Sequence, residues 1–446
     1  MSDQTSRQAS AGRGSAAPPA AALPDINAET FPFDTVVQLL DQAAFLTMFS
    51  IPAKGRSGVI PSRNGAGIVG MKIREQLHRF SLSMEPPSRD GVTTHNLIGE
   101  QLARWEHRWM FAPDGFPALP GREVPETIFD PSRSQRFVMF DSVCTFENRN
   151  DGFRGFGTGR TYPMHAGGQP QLYAAAVGSI LEGFGRFKGH EGTYTYCGSL
   201  SQQEGFTGSV LCRVVDPHGD LRSESSLPSL EAWPNPESGI TYLSFRGQKK
   251  DRSQKTAYNF GSDGQVAGLN VHQQIRQVQL DVASRGHGRG GVRSVMNVGP
   301  VIGSMNARIL FNLLNPGAPG TALSPIPFQS YNEYTFSSTD GRTIGTIVAD
   351  GGEGRTFNLQ LSGAPGQQAL RFGGFGPIVK ATGVFAGMEG LMVDNSVVGV
   401  APHALSTLYI LRVNDPDGKY RGAFSSGHRV RVTGPDKTVT YKVEVD

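Results

Sequence analysis

The sequence predicts an all-β protein: two tandem antiparallel β-barrels, preceded by a disordered N-terminal leader. Three observations predict it. The chain repeats itself end to end at a spacing near 198 residues, as 268 − 70 and 383 − 185 both give for matched glycines. Glycine is abundant, 57 of 446 residues, while charged residues make up only 18%, against about 25% in typical domains. Short runs of strand-forming residues also alternate with Gly, Pro, Asn and Asp along most of the chain.

The repeat rests on four landmarks in the same order. Gly70–Leu77 (GMKIREQL) aligns with Gly268–Ile275 (GLNVHQQI), and Gly185–Gly192 (GRFKGHEG) aligns with Gly383–Gly390 (GVFAGMEG). Asp216–Arg222 (DPHGDLR) matches Asp415–Arg421 (DPDGKYR), where 415 − 216 = 199. Gly159–Tyr162 (GRTY) matches Gly354–Phe357 (GRTF), where 354 − 159 = 195. The organisation that follows is a leader over 1–30, a first barrel over 31–230 and a second over 231–446. The polar, proline-bearing stretch 224–238 is the junction, and it is short enough for the barrels to pack together.

Bulk properties narrow the function classes. A net charge of +3 is too small to imply nucleic acid or an anionic membrane as partner. No run of about 18 apolar residues is present to span a bilayer, and the leader lacks an apolar signal core, so a cytoplasmic location is expected. The three cysteines, Cys144, Cys197 and Cys212, all fall in the first repeat without zinc spacing and read as buried small residues. Gly155–Gly159 lacks the strand-to-helix setting and Lys-Ser/Thr ending of a phosphate loop, and Arg285–Arg293 is a single RGG-like turn.

One short helix is predicted, Thr35–Met48, packed on the first barrel. Strands are predicted at 69–84, 98–111, 135–147, 153–163, 171–182, 184–199 and 205–215. The second series runs 266–282, 300–314, 328–337, 343–349, 355–361, 368–381, 383–398 and 404–413. So many consecutive strands with short connections call for a sheet that closes and hides its edges. Along 178–187 one parity carries Ser179, Leu181, Gly183, Gly185 and Phe187. The matching parity of the second copy carries Pro377, Val379, Ala381, Gly383 and Phe385, and this parity is predicted to face the interior.

The stretches SILEGFGRFKGHEGTYTY and PIVKATGVFAGMEGLMVD resemble the strand–turn–strand signature of the allene oxide cyclase barrel superfamily, which includes the dirigent proteins. The resemblance covers about 20 residues per copy and is looser elsewhere. It implies eight antiparallel strands around an apolar cavity, with glycines letting the barrel corner bend and an aromatic plugging the interior. It implies no single chemistry, because the superfamily includes cyclases and stereochemical guides without a nucleophile.

Candidate site residues follow from matches and differences between the copies. Glu191, matched by Glu389, either acts as a general base at a barrel mouth or accepts hydrogen bonds from its glycine-flanked turn. Arg160, matched by Arg355, either binds a substrate carboxylate or pairs with the Glu of its own domain. Tyr194, Tyr196 and Cys197 stand where the second copy has Met392, Asp394 and Asn395, so the two phenols can polarise a bound enone or phenol, or else cover an outer surface. Asp141, with Cys144 and Glu147, lies on a nearby strand. His165, His190 and His218 fall in loops without metal-ligand spacing.

These observations predict a cofactor-independent isomerase or cyclase of secondary metabolism. It would act in the first barrel on a hydrophobic small molecule such as a polyketide, terpenoid or oxidised lipid. Its site would be Glu191, Tyr196, Tyr194, Arg160 and Asp141, with neither cofactor nor metal. The alternatives are a lipocalin-like carrier of an apolar ligand or a two-barrel protein-interaction module. No nucleic-acid partner and no membrane span are expected, and a homodimer is left open.

Overall fold

The computed structural model describes residues 43–444, apart from 249–256, 261–265, 285–290, 312–325, 361–367, 400–404, 423–428, 434–439 and shorter stretches of one to four residues. In chain order the strands are β1 (Ala43–Pro52), β2 (Gly58–Pro61), β3 (Ile68–Met84), β4 (Thr94–Ala112), β5 (Gln135–Phe146), β6 (Gly152–Ala166), β7 (Gln169–Phe184), β8 (Gly192–Ser201) and β9 (Gly205–Val215). There follow β10 (Trp233–Pro234), β11 (Ile240–Gln248), β12 (Ala257–Phe260), β13 (Val266–Ser284), β14 (Val292–Phe311), β15 (Ile326–Ser337), β16 (Thr343–Gln360), β17 (Gln368–Ala381), β18 (Gly390–Gly399) and β19 (Leu405–Asn414). A separate hairpin, β20 (Arg429–Thr433) and β21 (Thr440–Glu444), ends the described chain. Among the described residues the only helical turns are 3₁₀, Gly185–Phe187 and Gly383–Phe385. The protein is all-β.

Every ladder is antiparallel, and the ladders close on themselves. β1 pairs with β9 on one side and β3 on the other, while β3 to β9 pair in sequence. β11 likewise pairs with β19 and β13, and β13 to β19 pair in sequence. A two-residue ladder between β3 and β13 joins both circuits into one large sheet. One apolar core lies inside each circuit, and a third, built on Phe45, Phe80, Tyr173, Tyr242, Leu280 and Ile410, fills the seam between them.

The β3–β4 and β13–β14 hairpins overshoot their own circuits, and each tip caps the other. Met84 and Val92 join the second core, whereas Val282 and Val292 join the first. The conserved-looking spacing of the D-P-x-G-x-x-R loops now has a physical role within the repeat. Asp216 accepts the Asp220 and Leu221 amides at 2.8 and 3.0 Å, and the shaped loop bridges Ser294 of the opposite hairpin. Asp415 accepts the Lys419 and Tyr420 amides at 2.6 and 3.1 Å, and its loop bridges Thr94.

Several expectations are corrected. Ala43–Met48, read as the end of a helix, belongs to β1, which lies between two cores and is buried on both faces at Ala44, Phe45, Leu46 and Phe49. The start of that helix and the leader fall outside the described residues, as does most of the 224–238 junction. Residues 343–349 and 355–361 are parts of one strand as far as Gln360, Phe184 closes β7, and 185–191 and 383–389 are turns ahead of β8 and β18.

The predicted inward parity fails at a bulge. Register slips between Arg154/Gly155 and Glu182/Ile180, leaving Leu181 unpaired and 39% exposed while Ile180 turns into the first core. The second copy bulges at the matched position, with Val379 57% exposed and Ile378 buried (379 − 181 = 198). Past the bulge Phe187 and Phe385 are both fully buried, as the plug reading expects.

Two glycines are required by close approach. A Cβ on Gly159 would stand 2.3 Å from the Phe137 ring, and one on Gly354 would stand 2.0 Å from the Phe328 ring. Gly159→Ala is therefore expected to destabilise the protein by about 1–3 kcal/mol through forced repacking, read from urea denaturation. Gly58→Ala, with nothing within 4 Å of the added carbon, should lie within about 0.5 kcal/mol of the parent.

Candidate functional site

Inward-facing positions of β3 carry Met71, Ile73, Glu75 and Leu77, and those of β4 carry Trp105, His107, Trp109 and Phe111, all buried. Alternation alone thus delivers a carboxylate and an imidazole to the first circuit's interior. β8 adds Tyr194 and Tyr196, which are fully buried there too. The Tyr196 hydroxyl donates to Glu75 Oε1. His107 Nε2 lies 3.3 Å from Glu75 Oε2 and 3.4 Å from the Tyr196 oxygen. Three groups able to exchange protons therefore meet in a space lined by aromatic rings.

Those rings fix the geometry. Tyr196 lies on Phe206 with centroids 3.8 Å apart, His107 stacks on Trp109 at 5.7 Å, and Trp109 stacks on Phe137 at 4.0 Å. Trp105 packs edge-on against Tyr194 and Tyr196 and donates its Nε1–H to Ser142 Oγ at 2.7 Å. His107 Nδ1 and Trp109 Nε1 are buried without a hydrogen-bond partner. Burial pushes the Tyr196 phenol well above its ordinary value, and Glu75 beside it acts in the same direction. Burial raises Tyr194 as well, with the Ser142 hydroxyl opposing it. The Cys144 and Cys212 thiols are raised by burial, which makes them inert packing groups.

The remaining predicted residues lie elsewhere. Arg160 pairs across the seam with Glu353 of the second half, 2.5 Å from Nη2, and with Asp114 at 2.6 Å. Arg136 joins the same Glu353 at 2.6 Å. The expected pairing of Arg160 with the Glu of its own domain is therefore replaced by a link between halves. Burial works against the charge of Glu353, but the Arg136 and Arg160 guanidiniums hold it below the usual carboxylate range. Glu191 is half exposed and faces Arg371, also across the seam, at 3.4 Å. Asp141 is on the outer surface, at positive φ (49°) in the β5 bulge, with Arg108 at 3.3 Å. The structure brings Tyr194 and Tyr196 together and keeps Glu191, Arg160 and Asp141 apart from them.

The second circuit shows what the fold itself requires. Ladder register places Gln273 at the position of Glu75, Ala307 at that of His107 and Asp394 at that of Tyr196. Tyr409 donates to Gln273 Oε1 at 3.1 Å, and Ser396 donates to Asp394 at 2.9 Å. A small cavity of about 10 Å³, room for about one water, adjoins Asp394, Tyr409, Thr407, Ser330, Asn332 and Met305. The sequence reading places the functional cavity in the first repeat, whereas this one is lined by residues of the second. Among the described residues, His190, Asp216 and Asp220 are close enough to share a metal ion.

Comparison with protein-family models, with curated proteins and with solved structures finds no match to this chain. No helix among the described residues is long and apolar enough to cross a membrane.

Asp394 gives the interior a pH signature. Burial pushes its carboxyl up to about 7, against the opposing Ser396 hydroxyl and Gly374 amide, while an unfolded Asp titrates near 3.9. Between those values the folded state holds a proton that the unfolded chain has released, so stability falls as pH rises through this window. The Asp394→Asn protein lacks this term. Relative to it, the parent should lose about 3 kcal/mol between pH 4.5 and 7.5, measured by urea denaturation of both proteins.

Proposed function

We propose that the chain is a cofactor-independent isomerase or cyclase of a hydrophobic small molecule, such as a polyketide, terpenoid or oxidised lipid. Residues 31–230 and 231–446 are read as two copies of an allene oxide cyclase-like barrel, with the chemistry in the first. The observation that carries this reading is the Glu75–His107–Tyr196 cluster inside an aromatic-lined circuit whose second copy is built without it. Burying such groups costs several kcal/mol per charge before any compensation. A fold that closes with Gln273 and Ala307 in the same places does not need that cost for stability.

The roles follow from atom types and reach. Glu75 takes a proton from carbon next to a carbonyl or epoxide. Tyr196 O–H and His107 Nε2 face the same carboxylate and hydrogen-bond the oxygen on which charge develops. Returning the proton at a different carbon gives an isomer with no net loss of atoms or electrons. Trp105, Trp109 and Phe206 supply the apolar walls that hold a flexible chain in a reactive fold. Substrate enters by displacing interior side chains, among them Val282 and Val292 at the closed end of the first core.

The packed interior is a specific observation in favour of a second reading, a two-circuit module with no turnover. Incubation of the full chain with a panel of polyunsaturated ketones and epoxides, followed by product mass spectrometry, separates the two. Glu75→Gln and Tyr196→Phe should each lower turnover by about 100-fold or more, with Asp394→Asn within about twofold of the parent. Turnover unaffected by Glu75→Gln removes the proposed base, and stoichiometric retention of an unchanged ligand establishes a carrier.

A further inference from the structure

The Asp216 loop holds one group that its hydrogen-bonding role leaves unused. His190 leaves the turn after Phe187 with its side chain 10% exposed and reaches toward Asp216. Both ring nitrogens are buried and neither makes a hydrogen bond of normal geometry, Nε2 facing the Asp216 carboxylate at ion-pair distance. Nε2 stands 3.6 Å from Asp216 Oδ1, too far for a hydrogen bond. That distance suits two ligands of one cation held about 2.0–2.2 Å from each. Asp220 completes the set, and the three ligand atoms lie within 4.8 Å of one another. The Asp220 side chain is exposed. Arg222 approaches Asp216 through the other oxygen, Oδ2, at 3.4 Å, and Arg293 is held by the carbonyls of Gly219, Asp220 and Arg222.

The second copy acts as a control. Its loop keeps the organising aspartate, Asp415, and the same amide bonds, but has Lys419 in the place of Asp220 (419 − 220 = 199) and Met388 in the place of His190 (388 − 190 = 198). The shared loop architecture requires neither the imidazole nor the second carboxylate. Where the second half has a fixed cation in Lys419, the first half presents an acidic pair and an imidazole.

We propose that His190, Asp216 and Asp220 bind one first-row divalent cation, zinc or manganese in class. The ion fastens the 216–222 loop to the turn that follows Phe187, and so secures the seat of the β13–β14 hairpin. This proposal does not depend on the reading of the Glu75 cluster.

Titration of Zn²⁺ into the EDTA-stripped full chain, followed by calorimetry, tests it. One site of micromolar or tighter affinity is expected, with zinc raising the urea midpoint of the parent. His190→Met and Asp220→Lys, each installing the residue of the other copy, should weaken binding about tenfold or more and abolish the midpoint shift. His218→Ala, on the same loop, should bind as the parent does. If His190→Met does not fold, Asp220→Asn on the exposed side chain takes its place. No stoichiometric binding at about 100 μM zinc, well above such an affinity, or undiminished binding by the His190 and Asp220 variants, overturns the site.

Discussion

Each half of this molecule is completed by the other. The strands of the β3–β4 and β13–β14 hairpins run past their own circuits, so that Met84 and Val92 pack in the second core and Val282 and Val292 in the first. The exchange is reciprocal down to its bonds. Ser294 N–H donates to Leu221 O at 2.8 Å, and Thr94 N–H donates to Tyr420 O at the same distance. Strand closure removes exposed edges, while the crossed hairpins tie the two closures together. The residues pairing at the seam serve the same constraint. Arg79 grips Asp281, Arg136 and Arg160 share Glu353, and the Arg412 guanidinium bonds Glu237 while lying over Tyr173. Arg160 and Glu191 both reach across the seam, to Glu353 and Arg371.

Against that frame the first interior is distinctive. Two circuits with matching bulges, matching glycine–phenyl contacts and matching capped loops differ sharply in what they enclose. One encloses Glu75, His107 and Tyr196 under Trp105 and Trp109, and the other encloses Gln273, Met305, Ala307 and Asp394. Differences on the inside of two matching circuits are what the proposed chemistry, placed on one copy of a scaffold, would leave.

Much of the fold was legible because its signals are local. The bounds of β9 and β17 and the aromatics buried at Phe187 and Phe385 depend on patterns within a few residues. β1 was misread because a strand buried on both faces shows no alternation, and TVVQLLDQAAFLTM satisfies a helical period as well. The parity of 178–187 failed because one bulge residue, Leu181, reverses every side chain beyond it. The interior cluster was half legible. Tyr194 and Tyr196 were found as differences between copies, but Glu75 and His107 sit on strands read only as strands. Their signal was present: a charged residue on the parity of Met71, Ile73 and Leu77, and a histidine between Trp105 and Trp109. What joins them to Tyr196, over 121 and 89 residues of sequence, is closure, which no local pattern encodes.

The role proposed for Glu75 is in chemistry and not in the architecture. The unfolding free energy of Glu75→Gln, measured in urea at pH 7 beside the parent, tests it most directly, since Gln273 occupies the same position in the second circuit. The account predicts a protein at least as stable as the parent to within about 0.5 kcal/mol. A loss of about 3–5 kcal/mol, the usual result of breaking a buried ionic cluster that holds a fold together, would contradict it.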